Sequence, residues 1–168
     1  MSKPEFVIHE DRELSAEALD AGFGDLDPFQ RLSAIRSEFP EAVFVTGFSL
    51  ADQALTHMIA SEHRALPIAK GDVGGDLASL IEITIERYDL SFEDPSNLPA
   101  GFHVRVVSAL PEGAVPSRHG YLAMDEISGT LWINPLADWN EDRVIDHVLA
   151  HEVPVNPFDM PGYVKRAA

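Results

Sequence analysis

Two glycine-containing turns, each directly after an apolar run, are the segments of this sequence best suited to bind an anion. Thr46-Gly47-Phe48-Ser49 follows the apolar run 42–45, and Asp72-Val73-Gly74-Gly75 follows the run 66–69. Glycine lets backbone N–H groups approach a phosphate closely, and a helix that begins after such a turn offers unpaired N–H groups and the positive end of its dipole. The predicted chemistry is anion or nucleotide binding. Such turns also need glycine for backbone geometry alone, and that alternative stays open.

Two histidines at helical spacing are the second place where chemistry is conceivable. His147 and His151 are four residues apart, which puts both imidazoles on one face of a predicted helix where a metal could bridge them. Their order differs from HExxH, because Glu152 follows the second histidine, and the sequence shows no third ligand. We therefore expect no metal site. The remaining histidines are scattered: His9, His57, His63, His103 and His119.

The composition narrows the chemistry further. The 168 residues include no cysteine, so a thiolate nucleophile, a disulfide, a redox CxxC pair and a cysteine-ligated zinc or iron–sulfur site all lack their sulfur atoms. Twelve Lys and Arg residues stand against 28 Asp and Glu, a formal charge of −16. Nucleic acid is an unfavourable partner, because few cations remain to neutralise its phosphates.

Membrane association and export are not expected either. No apolar run approaches the roughly 20 residues that cross a bilayer. Residues 1–20 are acidic and lack the apolar stretch of a signal peptide. A cytoplasmic location is the default expectation, and the length favours a single domain over residues 1–168.

Helix and strand signals alternate along the chain, as is typical of an α/β domain with a largely parallel sheet. The apolar runs 42–45, 66–69 and 104–107 predict three adjacent parallel core strands. The extended pieces 121–124 and 130–133, on either side of a turn, predict a hairpin.

Four helices are predicted from caps and apolar spacing. Asp27-Pro28 gives an N-cap and a proline at the first helical position of a helix over 28–38. Further helices are predicted from Leu50, from Leu77 to about Tyr88, and after the N-cap Asn140. The predicted buried stripe of the last helix is Val144, Ile145, Val148 and Leu149. Segments 91–101 and 111–119 are predicted loops, and prolines predict an irregular tail over 153–168.

Several segments resemble the phosphoadenylylsulfate (PAPS) and adenylylsulfate (APS) reductases. Residues 133–142, INPLADWNED, with VPVNPF at 153–158 and Gly162-Tyr163, resemble the family stretch INPLADWSEEDVW…LPYNPL…QGY. Residues 46–52, TGFSLAD, resemble its modified phosphate loop SSFGAED. Residues 66–74 resemble its LPV…DTG strand end.

The resemblance covers about residues 26–164 and implies a Rossmann-like, adenine-nucleotide α-hydrolase-type fold, with a mostly parallel sheet flanked by helices. It also implies a remnant nucleotide site formed by Thr46, Gly47, Phe48, Ser49, Asp52, Asp72 and Gly74. Aspartates at these places are also common helix caps, and that alternative stays open for Asp52 and Asp72. Trp139 and Tyr163 are interpreted as packing anchors.

The sequence departs from the family at the residues that carry its chemistry. Ser49 stands where the phosphate loop has glycine, and Ala51 where it has glutamate. The basic insert after Tyr88 is reduced to a short loop, and in place of the GLRREQS arginines only Arg105 and Arg118 are nearby. The C-terminal ECGLH segment is absent from the sequence. In the family its cysteine attacks the sulfonyl sulfur, and the resulting S-sulfo-cysteine exchanges with thioredoxin or another thiol.

We therefore expect a shortened, cysteine-less, degenerate member of this family without reductase activity, catalytic residues or cofactor. The expected role is accessory or regulatory in sulfur assimilation, with an enzyme of that process as partner and at most weak binding of an adenine nucleotide. Two alternatives stay open. One is a nucleotide-dependent enzyme of other chemistry, such as adenylyl transfer or hydrolysis; the other is a structural subunit that docks through residues 140–164.

Overall fold

The computed structural model describes residues 10–98 and 103–162. Its helices are α1 (Glu10–Gly22), α2 (Pro28–Glu38), α3 (Leu50–Glu62), α4 (Ala78–Tyr88) and α5 (Glu141–Ala150). Its strands are β1 (Val43–Thr46), β2 (Ile68–Lys70), β3 (His103–Val106), β4 (Val115–Pro116), β5 (Leu122–Met124) and β6 (Thr130–Ile133). None of the helices in these residues is both long enough and apolar enough to span a membrane.

The strands form one mixed sheet in the order β2-β1-β3-β6-β5-β4. β1 pairs in parallel with β2 and β3, and β6 pairs in parallel with β3. The predicted adjacent parallel strands are confirmed, and so is the hairpin, because β5 pairs antiparallel with β6. The four parallel strands end at one edge of the sheet, which is the edge where α/β proteins bind ligands.

The core lies between the sheet and the helices packed on it. Phe44, Val106 and Ile133, on neighbouring strands, are fully buried. Helix α3 is the most deeply packed helix, and its buried apolar side chains are Leu50, Ala54, Leu55, Met58, Ile59 and Ala60. The residues at its N-terminus and along its length therefore occupy fixed positions.

Helix α2 begins as predicted, with Pro28 at its first position. The Asp27 carboxylate accepts a hydrogen bond from the Gln30 N–H, and the Gln30 side chain accepts one from the Asp27 N–H. This reciprocal capping box satisfies two backbone donors that would otherwise be unpaired.

A buried arginine of α2 holds the loop after β6. Arg31 is 2% exposed, and its Nη1 and Nη2 donate to the two carboxylate oxygens of Asp138 at 2.6 and 2.8 Å. The same guanidinium donates to the carbonyls of Phe23 and Pro135. Hydrogen bonding to Arg31 lowers the pKa of Asp138. The INPLADW segment is thus attached to the N-terminal half of the chain.

Trp139 fits the predicted role of packing anchor, since it packs against the core with the Arg143 guanidinium 4.9 Å from its ring centroid. Tyr163, the other predicted anchor, lies outside the described residues.

Helix α1 was not predicted; among its described side chains, the buried apolar ones are Ala16 and Leu19. Its buried carboxylate, Asp20, holds it to the segment before β5. Oδ1 accepts from the Ser117 hydroxyl at 2.6 Å and from the Tyr121 N–H at 3.2 Å, and Oδ2 accepts from the His119 N–H at 2.7 Å. These long-range bonds leave no periodic signal in the sequence.

Two further predictions are corrected. Leu149 was predicted in the buried stripe of α5 but is 62% exposed; Val144 and Val148 are buried and Ile145 partly so. The stripe is narrow because α5 packs mainly against one neighbouring helix, α3. The predicted loop 111–119 contains the two-residue strand β4, which is too short to show an apolar alternation. The tail up to residue 162 is irregular apart from one 3-10 turn, Pro157–Asp159.

Candidate functional site

The loop between β1 and α3 consists of three residues and is shaped by Phe48. Phe48 has φ of 64°, in the left-handed region that side chains rarely adopt. Its ring is buried and packs edge-on against Phe92, with 5.5 Å between centroids, and its N–H donates to the Thr46 hydroxyl at 3.0 Å. The buried ring offsets a conformational cost of about 1–2 kcal/mol.

Ser49 is the N-cap of α3. Its exposed side chain accepts a hydrogen bond from the Asp52 N–H at 3.1 Å, and so occupies one of the donors that a bound phosphate would use. Among the described residues, the N–H groups of Leu50 and Ala51 have no acceptor. Two donors of the helix N-terminus therefore remain available to an anion.

The Asp52 carboxylate lies against the backbone of this loop. Its carboxylate turns back so that Oδ2 accepts from the Gly47 N–H at 2.8 Å, while Oδ1 accepts from the Ser108 hydroxyl at 2.7 Å. The side chain is largely buried. A phosphate in the loop would compete with this carboxylate for the Gly47 N–H and be repelled by its charge. At about 4 Å, like charges cost roughly 1–4 kcal/mol, depending on the local dielectric.

Ser108 and Asn134 extend this polar network across the edge of the sheet. Asn134 donates from Nδ2 to the Ser108 carbonyl at 3.1 Å, and its Oδ1 accepts from the Leu136 N–H at 2.9 Å. Neither was predicted as a site residue. Ser108 follows β3 and Asn134 follows β6, so their positions just beyond parallel strands were the available signal.

The second predicted turn is joined to the first through the backbone. The Gly71 N–H donates to the Thr46 carbonyl at 2.9 Å, and a Cβ on Gly71 would stand 3.2 Å from that oxygen. Asp72 and Gly74 are exposed. No hydrogen bond within the described residues links the side chain of Asp72 to the first loop. The structure thus brings Thr46, Gly47, Phe48, Ser49 and Asp52 together and leaves Asp72 and Gly74 on a neighbouring turn.

A cavity of about 780 Å³ lies beside this second turn, and its charge is unfavourable to anions. Lys70 is its only cation among the described residues, against the carboxylates of Asp72, Glu93 and Asp94. Hydrogen bonds from the N–H and hydroxyl of Ser96 lower the pKa of Asp94 and keep it charged.

The two arginines near the position of the GLRREQS motif, Arg105 and Arg118, do not offset the negative charge beside the loop. Arg105 is buried in β3, opposite Val43 and Trp132, and donates to the Val104 carbonyl. Arg118 lines a separate cavity of about 370 Å³, next to Asp20.

Three histidines form a second cluster, away from the loop. The sequence shows no third ligand at a suitable spacing from His147 and His151, and in the structure His57 of α3 lies beside both. His57 Nδ1 and His147 Nε2 are 2.8 Å apart. Burial, and secondarily the charges of His57 and His151, lower the pKa of His147 to about 4.

No family model matches the sequence. The APS reductase of Sinorhizobium fredii is 28% identical over an alignment of 193 residues, which covers 90% of this chain and 77% of that protein. The APS reductase of Mesorhizobium japonicum is 27% identical, over 89% of this chain and 74% of that protein. This chain is similar to the PAPS/APS reductases in sequence.

The fold of this chain agrees with that of a solved structure. A PAPS reductase from Candida auris, crystallised as a phosphate complex, matches with a TM-score of 0.71 over 96% of both chains at 16% identity. The 168 residues of this chain contain no cysteine. The cysteine-ligated iron–sulfur cluster that the resemblance implies for some members has no ligand in this sequence.

Proposed function

We propose that this PAPS/APS reductase-like protein does not itself reduce an adenylylated sulfate and serves sulfur assimilation as an accessory or regulatory protein. The observation that carries the proposal is that its 168 residues contain no cysteine. In the family's reaction a thiolate attacks the sulfonyl sulfur, an S–S bond forms and the adenine nucleotide leaves. A second thiol then releases sulfite. Methionine sulfur, already bonded to two carbons, provides no thiolate.

The loop geometry supports weak nucleotide binding as the second half of the proposal. Asp52 holds the Gly47 N–H, Ser49 holds the Asp52 N–H, and the formal charge of −16 opposes an incoming polyanion. Two free N–H groups remain at the start of α3. We expect adenine nucleotides to bind there with a Kd of about 0.1–1 mM, roughly −5.5 to −4.1 kcal/mol.

The direct test measures sulfite released from APS and from PAPS, with thioredoxin and separately with glutathione as reductant. The expected result is the rate of the enzyme-free blank, with a cysteine-containing reductase as positive control. Sulfite above the blank would refute the proposal. The accessory role is tested by adding this protein to that cysteine-containing reductase: a changed rate or KM supports it, whereas no change favours the alternatives.

One alternative is a nucleotide-dependent enzyme of other chemistry, adenylyl transfer or hydrolysis. The free N–H groups of Leu50 and Ala51 favour it, since they suit a phosphate and need no cysteine. Incubation with ATP, followed by chromatography for AMP or ADP, distinguishes it: product formation supports this alternative against the accessory role.

The other alternative is a structural subunit that docks through residues 140–164. Within the described part of that segment, Leu149 and Phe158 are 62% and 61% exposed. Loss of co-purification with a sulfur-assimilation enzyme on Leu149→Asp, with sulfite release by that enzyme unchanged by this protein, would favour it.

A further inference from the structure

We propose that His57, His147 and His151 form a binding site for one divalent transition-metal ion, with zinc as the expected occupant. The three side chains come from two packed helices and the turn that ends the second. Each offers one ring nitrogen, and these three atoms lie within 4.8 Å of one another. The inference is independent of the proposed function, because the site is about 10 Å along α3 from the phosphate loop, at a rise of about 1.5 Å per residue.

The donor set is of the type that zinc uses. Imidazole nitrogens suit zinc and its neighbours in the transition series, and three histidines with an open fourth position make a known class of zinc site. His57 and His147 are partly buried, while His151 is exposed. The fourth coordination position would therefore face solvent and take a water molecule.

The geometry requires only small side-chain adjustments. A tetrahedral zinc with bonds of about 2.0–2.1 Å keeps its nitrogen ligands roughly 3.3 Å apart. The His57 and His147 nitrogens, at 2.8 Å, must separate slightly. The widest separation must close by about 1.5 Å, and His151, exposed at the end of α5, is free to rotate.

Backbone hydrogen bonds at the end of α5 hold the positions of His147 and His151. His151 is the C-cap of α5, and its N–H donates to the His147 carbonyl at 3.1 Å. The Val153 N–H then donates to the Val148 carbonyl at 2.9 Å. These bonds close the last turn of α5, and the His151 ring lies 4.5 Å from both of the other rings, centroid to centroid.

The charges around the cluster act on a bound cation in two ways, and Arg87 lies close enough to His57 to act on it electrostatically. Arg87 opposes a cation, whereas the formal charge of −16 attracts one.

The structural alternative is a stacked and hydrogen-bonded contact between α3 and α5 that holds no metal. It predicts that the histidines stabilise the helix pair equally with and without zinc. The metal proposal predicts that zinc adds to the stability, by binding to the folded state alone.

The test uses the full chain without a polyhistidine tag, stripped with chelator and titrated with zinc by calorimetry. We expect one zinc per chain, with a Kd of about 10 μM or lower, and a higher Tm with zinc. His151→Ala should weaken zinc binding at least tenfold and keep the fold, because its side chain is exposed. His57→Gln should do the same. The matched control, His119→Ala, removes an exposed histidine outside the cluster and should leave the affinity unchanged.

A second readout is local to the site. The Trp139 ring lies 5.8 Å from the His147 ring, so paramagnetic Co²⁺ should quench Trp139 fluorescence in the wild type and not in His151→Ala. A Kd above about 1 mM, or equal zinc affinity in the wild type and His151→Ala, would overturn the proposal.

Discussion

The Asp52 carboxylate and a bound phosphate would compete for the same backbone donor, the Gly47 N–H, which lies 2.8 Å from Oδ2. The Asp52 carboxylate therefore takes the position that a bound anion would occupy in the loop. Ser108 holds it in place from the neighbouring strand end. The Asp52 carboxylate already occupies the loop, and this is why we expect Asp52, although it matches the phosphate-loop motif that the sequence resembles, to weaken anion binding here.

Replacing Asp52 by asparagine should therefore strengthen phosphate binding. Asparagine keeps the shape of the side chain and removes its charge, so we expect AMP to bind about 5–10 times more tightly, equivalent to roughly 1–1.4 kcal/mol. An NMR titration of the Gly47 and Leu50 amides measures this. Asp72→Asn is the matched control, because it removes the same charge from the exposed turn next to the loop. An equal gain in both variants would point to net charge alone and contradict the local explanation.

Replacing Ser49 by glycine tests the neighbouring obstruction. The change frees the Asp52 N–H and removes a Cβ, and we expect AMP affinity to rise by about threefold, roughly 0.6 kcal/mol. Stability should fall by only a few tenths of a kcal/mol, since glycine is a tolerated N-cap. Ser49→Ala separates the two causes: it improves binding only when the hydroxyl is the obstruction. The account fails when Ser49→Gly leaves the NMR-derived Kd unchanged.

At the scale of elements, the sequence predicted those helices and strands whose position depends on contacts between residues close in the chain. Asp27-Pro28 predicted the start of α2 because its cap is formed by residues three apart. The apolar runs predicted β1, β2 and β3 because parallel strands are buried on both faces. Helix α1 escaped prediction because its position depends on Asp20 and partners almost 100 residues away.

In the candidate site, too, the parts formed by neighbouring residues were predicted and the contacts between distant residues were not. The loop 46–49 and the start of α3 were predicted, since strand, turn and helix are contiguous there. The Asp52–Ser108 bond joins residues 56 apart, and the His57–His147 contact joins residues 90 apart. No spacing rule covers such distances, so the occupied loop and the histidine cluster emerged only from the fold.

The backbone directly after α5 is strained, and a substitution can test this strain. Glu152 has φ of 51° directly after the helix, a position that glycine usually fills. Glu152→Gly should raise the free energy of unfolding by about 0.5–1 kcal/mol by relieving this strain. Urea denaturation measures the change. Glu152→Ala keeps the strain and should be nearly neutral; equal stability of the two variants would show that the left-handed backbone costs nothing here.

At the scale of the molecule, the Arg31–Asp138 pair joins segments 107 residues apart. Asp138→Asn should destabilise the protein at pH 7 by roughly 1–3 kcal/mol, less than for a fully buried pair, because the carboxylate side chain is 39% exposed. The pair lowers the folded-state pKa of Asp138. Its contribution is therefore complete above the unfolded pKa, near 3.8, and is lost as the pH falls through the lower folded value.

Urea unfolding of the wild type and Asp138→Asn at pH 7 and at pH 3 measures this dependence. The difference in unfolding free energy should shrink at pH 3. Asp125→Asn is a useful comparison, because hydrogen bonds from the Ser128 and Ile127 N–H groups also lower the pKa of Asp125, within a local turn. A difference for Asp138→Asn that stays constant with pH would contradict the ion-pair explanation.

The hydrogen bonds of Asp20, which hold α1 to the segment before β5, also bear on the self-association of the protein. The sheet ends at β4, a strand of two residues, and the segment beside it gives its Ser117, His119 and Tyr121 donors to this one carboxylate. If α1 detached, those three donors beside β4 would lose their acceptor. Unpaired sheet edges recruit strands from other molecules. We therefore expect the loss of the Asp20 contacts to appear first as aggregation rather than as a change in ligand binding.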